Sequence, residues 1–112
     1  MTFREIEEKV RTLVNDAKSP HRFTDSQIWG FATDAVRRLR TINPSERYGE
    51  NGLLDDSIHS EAADADVRID PRHHEAVIMY AAAKAYELDM TDTVNLQTAN
   101  VLLSRAESMM AT

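Results

Sequence analysis

The chain has 112 residues, 42% of them apolar and 29% charged, enough for one modest core, which excludes two independent domains and wholesale disorder alike. Cysteine is absent, so there is no disulfide framework, no thiolate metal site and no cysteine nucleophile. The formal net charge of −6 resides entirely in residues 43–75, where nine acids face three arginines, while the rest of the chain cancels; this is the reverse of the basic stripe that a tight DNA binder presents to phosphates.

The opening Met1-Thr2-Phe3-Arg4-Glu5 is amphipathic rather than signal-like, and no apolar run reaches transmembrane length, so a soluble chain folding in a reducing cytoplasm is expected. Three glycines and three prolines are too few to punctuate a many-stranded sheet, and helices should dominate. A first helix over about residues 2–17 is announced by Thr2 with Glu5 three residues on. It would place Phe3, Ile6, Val10, Leu13, Val14 and Ala17 on one face, with the pairs Glu5/Lys9 and Glu7/Arg11 marking the solvent side. Ser19-Pro20 breaks it. Phe23 precedes a second capping box, Thr24 with Gln27, and is positioned to staple onto Ile28.

The second helix is predicted over residues 25–42, with Ile28, Phe31, Ala32, Ala35, Val36 and Leu39 at helical spacing and Asn43-Pro44 stopping it. Trp29 and Gly30 flank that stripe. Arg37, Arg38 and Arg40 cluster near its end, either complementing the helix dipole or forming a basic patch that docks an acidic partner. Residues 43–70 show no period and read as an irregular acidic arm carrying Glu46, Glu50, Asp55, Asp56, Glu61, Asp64 and Asp66. Within it, Asn51-Gly52 suggests a turn and Val67-Arg68-Ile69 a short strand, so a small β-hairpin is conceivable.

Asp70-Pro71 is the clearest start signal in the chain, a capping aspartate followed by proline at the first helical position, and opens a third helix over residues 71–90. Its alanine-rich middle, from Tyr80 through Tyr86, allows a neighbouring helix to approach closely. Thr91 or Asp92 caps a fourth helix over residues 93–110, which pairs with the third as an antiparallel hairpin. Leu96, Ala99, Leu103, Ala106 and Met110 form its stripe, widened by Val101, Leu102 and Met109 beyond what one packing partner needs. The expectation is an all-α, small four-helix bundle spanning residues 1–112 as one domain, with a long irregular acidic arm between the second and third helices.

No catalytic constellation emerges. The four histidines, His21, His59, His73 and His74, lack metal-ligand spacing, and there is no nucleophile elbow, Walker loop or glycine-rich phosphate cradle. The paired carboxylates Asp55-Asp56 have nothing beside them to separate their pKa values. No enzyme activity, cofactor or metal is expected.

The stretch from Phe23-Thr24-Asp25 through Trp29 to Ala35-Val36-Arg37-Arg38-Leu39-Arg40 resembles the "W/F-T-D-x-x-L-x-x-x-x-N-x-A-x-R" helix of the head-to-tail connector (adaptor) proteins of tailed bacteriophages. Asp70-Pro71-Arg72-His73-His74-Glu75-Ala76-Val77, continuing through Tyr80 and Ala85-Tyr86 to Asp89, is similar to that family's "P-x-x-H-x-A-L-x-x-Y-x-A-x-x-A-Y-x-x-D" hairpin, and a last helix follows it. The resemblance implies a virion protein that forms a ring of about twelve copies beneath the portal, extends the DNA channel without sequence-specific binding, and receives tail or neck completion proteins. Its place would be the head-tail neck of the virion, and the host cytoplasm during assembly. On this reading Trp29, Val101, Leu102 and Met109 are candidates for the protomer interface, the arm carboxylates for the channel lining, and Arg37, Arg38 and Arg40 for partner docking. Connectors of this kind often reach the portal with a C-terminal extension, whereas this sequence ends at Thr112, so docking would fall to the helix ends or the arm. The alternative class is a small helical regulatory or antitoxin-like module using the same arginines on nucleic acid.

Overall fold

Four helices form in the order the sequence predicts, in a computed structural model that describes residues 1–16, 22–48, 52–54, 67–88 and 93–112. Helix α1 spans Phe3–Leu13, with the Thr2 hydroxyl accepting the Glu5 N–H. It ends earlier than its apolar stripe suggests. Asn15 takes a left-handed φ of 59°, its N–H bonds to the Thr12 carbonyl, and the Asp16 N–H reaches back to Arg11. This is a Schellman closure with asparagine in the position usually held by glycine. Leu13, expected in the core, is instead 43% exposed at the helix end.

Helix α2 spans Asp25–Ile42, and both arms of its capping box are formed: Gln27 N–H to Thr24 Oγ1, and Thr24 N–H to Gln27 Oε1. Ile28, Ala32, Ala35, Val36 and Leu39 are buried, as the spacing requires. Phe23 is buried too, its ring set edge-on to Phe31 at 6.3 Å. At the far end Pro44–Arg47 forms a single 3-10 turn, since proline cannot continue the hydrogen-bond ladder.

Asp70 caps through its side chain, which accepts the Arg72 N–H; Pro71–His73 makes one 3-10 turn before α3 runs over His74–Leu88. Ala76, Ala81, Ala82, Ala83 and Ala85 are all buried, together with Val77, Met79 and Tyr80. A helix that is apolar all round belongs in the middle of a fold, and α3 does pack against each of the other helices. Helix α4, Thr93–Met110, lies chiefly on α3.

The helices alternate in direction. At one end, the Val67 N–H donates to the Met1 carbonyl and Asn43 Nδ2 to the Met110 carbonyl; at the other, Tyr86 Oη donates to the carbonyl of Leu13. The result is an all-α, up-and-down four-helix fold. Among the described residues there is no strand. The expected short strand at residues 67–69 is extended chain whose Val67 and Ile69 enter the core; of the conceivable hairpin, the described residues carry one antiparallel bridge, between Tyr48 and Leu54, with Gly52 at φ 78°, while residues 49–51 and 55–66 lie outside the described residues.

Candidate interaction surfaces

Charged side chains tie the bundle at both ends, and two of them overturn expectations. Arg11, expected on the solvent side of α1, is 4% exposed. Its Nη1 donates to Asp16 Oδ2 at 2.7 Å and to the Phe23 carbonyl at 3.0 Å, and its Nη2 donates to Asp25 Oδ1 at 2.9 Å. The Asp16 carboxylate also accepts the backbone N–H groups of Arg22 at 2.7 Å and Phe23 at 3.3 Å. Burial alone would raise the Asp16 pKa; these N–H donors and the Arg11 and Arg22 charges outweigh it and hold the carboxyl below its ordinary value.

At the opposite end the Glu46 side chain is buried, accepting from His73 Nδ1 at 2.7 Å and from the Asp70 N–H at 3.3 Å. Arg68 Nη1 donates to the Tyr48 carbonyl and Nη2 to that of Glu46, each at 2.7 Å. Glu46 is therefore a structural anchor at the root of the arm and is withdrawn from the set of channel-lining carboxylates. Glu50, Asp55, Asp56, Glu61, Asp64 and Asp66 lie outside the described residues.

The arginine patch is split. Arg40 is 5% exposed, with Nη2 directed at the Arg68 carbonyl, because the same rotation that puts Val36 and Leu39 in the core turns residue 40 inward. Arg38 is exposed and pairs with Glu107 on α4 at 3.2 Å. Arg37 instead lines a cleft of about 420 Å³ with Arg40, Thr41, Pro44 and Arg47. The basic surface at this corner thus gains Arg47, which sequence spacing did not associate with α2.

The four candidate interface residues also separate. Val101, 57% exposed, and Met109 share a shallow depression on the outer face of α4 with Asn100, Ser104, Arg105 and Ser108. Leu102 faces the other way, into a groove of about 610 Å³ between α1 and α4 whose apolar lining is completed by Leu13, Ile78 and Met79. Trp29 lines neither. It is half-buried in a small cleft with Arg4, Glu7 and Asp25. There neither Trp29 Nε1 nor Glu7 Oε1 completes a well-formed hydrogen bond. Burial, and then the nearby Asp25 charge, raise the Glu7 pKa above its ordinary value against the pull of Arg11.

Helix α4 carries only two charged residues, Arg105 and Glu107, in eighteen positions, although 29% of the chain is charged. Leu96, expected in its packed stripe, is 41% exposed. An exposed helix face this poor in charge and rich in apolar and small polar residues has the composition of the centre of a protein interface.

Among the described residues no three histidine or carboxylate side chains gather where a metal could sit, and no helix is long and apolar enough to cross a membrane. His73 is committed to Glu46, and His74 Nε2 lies 3.3 Å from the Ile69 carbonyl. No family model, curated protein or solved structure matches the chain.

Proposed function

We propose that this chain is a structural virion protein, a head-tail connector that assembles as a ring beneath the portal of a tailed bacteriophage. The ring would extend the DNA channel and join the capsid to tail or neck completion proteins. The observation that carries the reading is the outer side of α4, an eighteen-residue helix with two charges and exposed Leu96 and Val101, which suits burial between protomers. The resemblance of the second helix and of the third-helix hairpin to connector sequences gives that surface its context. Concentration of the negative charge in residues 43–75 fits a lumen that repels phosphates and lets duplex DNA slide. With Glu46 buried, that role falls to Glu50, Asp55, Asp56, Glu61, Asp64 and Asp66.

Native mass spectrometry and electron microscopy of the purified chain, alone and with portal rings, test the reading. Closed rings of about a dozen copies, free or templated on the portal, are the expected result. A chain that stays monomeric or dimeric in both conditions and instead binds duplex DNA in a salt-dependent manner would replace it with the regulatory module. Neutralising Glu50, Asp55 and Asp56 together should impair genome passage through assembled necks; unchanged packaging and ejection would remove the lumen role.

A further inference from the structure

Three arginines from two elements line one cleft. Arg37, Arg40 and Thr41 come from the last turns of α2, and Pro44 and Arg47 from the 3-10 turn that follows, around a volume of about 420 Å³. Because Asn43-Pro44 stops α2, the chain turns there and sets Arg47 alongside Arg37 and Arg40. No carboxylate is among the described residues lining the cleft. Glu46, next to Arg47 in sequence, lines a different pocket and is bonded to His73. The Thr41 hydroxyl donates to the Arg37 carbonyl at 2.9 Å, so the side-chain donors that the lining residues have to offer are guanidinium groups. A helix C-terminus carries about half a negative charge, which a single arginine offsets; three leave a surplus of about two and a half positive charges.

We propose that this cleft binds a phosphate monoester or free phosphate, held by the exposed Arg37 and Arg47 with the buried Arg40 behind them. A guanidinium fork matches two oxygens of an oxyanion and pairs with them through parallel hydrogen bonds. A carboxylate or a backbone phosphodiester brings one negative charge, whereas a phosphate monoester brings about 1.5 to 2 and comes closest to the surplus in the cleft. Arg40 and Arg47 also make contacts within the chain; with five N–H donors on each guanidinium, those contacts fix the groups in place beside a ligand rather than exclude one. Arg38 takes no part, being paired with Glu107 on α4. The site is independent of ring assembly and goes beyond the connector reading.

The test is a titration of the purified chain with inorganic phosphate, replacing chloride at constant ionic strength and followed by amide chemical shifts in NMR spectra. Saturable binding is expected, weakened at least about tenfold in R37M and in R47M and unchanged in R38M, each variant being checked for wild-type helicity by circular dichroism. Ribose 5-phosphate titrated in parallel separates the two sources: tighter binding than inorganic phosphate assigns the site to a monoester, and equal or weaker binding assigns it to the free ion. Shifts that do not saturate, or that are the same in R37M, R47M and R38M, would overturn the site. Duplex DNA without terminal phosphates that engages Arg37 and Arg47 where phosphate does not would give the cleft to phosphodiesters and overturn it too. Phosphate binding that emerges only after Glu50, Asp55 and Asp56 are neutralised would give the cleft to the chain's own acids, with the same consequence.

Discussion

His73 Nδ1 lies 2.7 Å from Glu46 Oε1, with the two side chains 1% and 5% exposed, and this pair locks the root of the arm onto the first turn leading into α3. Removing one member leaves the other buried without that hydrogen-bond partner, at a cost of about 1–3 kcal/mol. E46A and H73A should each lower stability by about that amount in urea unfolding, and the double variant should lose clearly less than the two added together. Additive losses would mean that the pair is not coupled.

Arg11 should behave as the equivalent tie at the other end. R11M would leave the Asp16 carboxylate, whose side chain is 2% exposed, with the Arg22 and Phe23 N–H groups and the more distant Arg22 charge, and should destabilise by about 3 kcal/mol. R11K retains the charge but cannot fork between Asp16, the Phe23 carbonyl and Asp25, so it should recover only part of the loss. Full recovery by lysine would show that charge alone matters there.

Asp16 and Glu7 lie within one charge cluster and should give stability opposite dependences on pH. The Asp16 pKa is depressed in the fold, so its contribution is complete above its ordinary 3.8 and is lost as pH falls through the lower folded value. The Glu7 pKa is raised, so its contribution is complete below its ordinary 4.5 and is lost as pH rises through the higher folded value. Relative to wild type, D16N should therefore grow less stable and E7Q more stable as pH increases from strongly acidic to neutral. Parallel unfolding curves across that range would contradict both assignments.

The split arginine patch makes a simple contrast. Arg38 and Glu107 are 42% and 36% exposed, and such pairs contribute about 0.2–1 kcal/mol. R38A should scarcely move the melting temperature, whereas R40A, which removes a side chain 5% exposed, should lower it by several degrees. Equal effects would mean that Arg40 is solvated.

Asn15 offers a test of the α1 terminus. At φ 59° a β-branched residue is strained, so N15V should cost about 1–2 kcal/mol, while N15G should be neutral or slightly stabilising. A neutral N15V would mean that the closure is not held in solution.

Helix limits were legible where a local signal sets them. Thr24 with Gln27, Asn43-Pro44 and Asp70-Pro71 each mark a boundary within a few residues of chain, and the helices begin or end there. Helix α1 stops short of its apolar spacing, which continues through Val14, because the left-handed turn at Asn15 ends the ladder. The buried ions were illegible for a different reason. Glu46 meets His73 across twenty-seven positions, and Arg11 becomes buried only when Asp25 and the Phe23 carbonyl close over it. Nothing near either residue in sequence distinguishes it from a surface charge. For the candidate surfaces, the surplus apolar character of α4 was readable from composition, but its division between the Val101/Met109 face and the Leu102 groove depends on where α1 packs.

The alanines of α3 have a consequence for how this protein can change. Because α4 rests on side chains of the smallest size, what holds the two helices together is nearness of backbones, and the bulkier residues of α4 at Leu96 and Val101 are left out of that seam. Cohesion and surface character are thereby assigned to separate sets of positions on one helix. Substitutions at the outward set can change what the helix presents while the inward set keeps it in place, so the outer face can vary more freely than the seam beneath it.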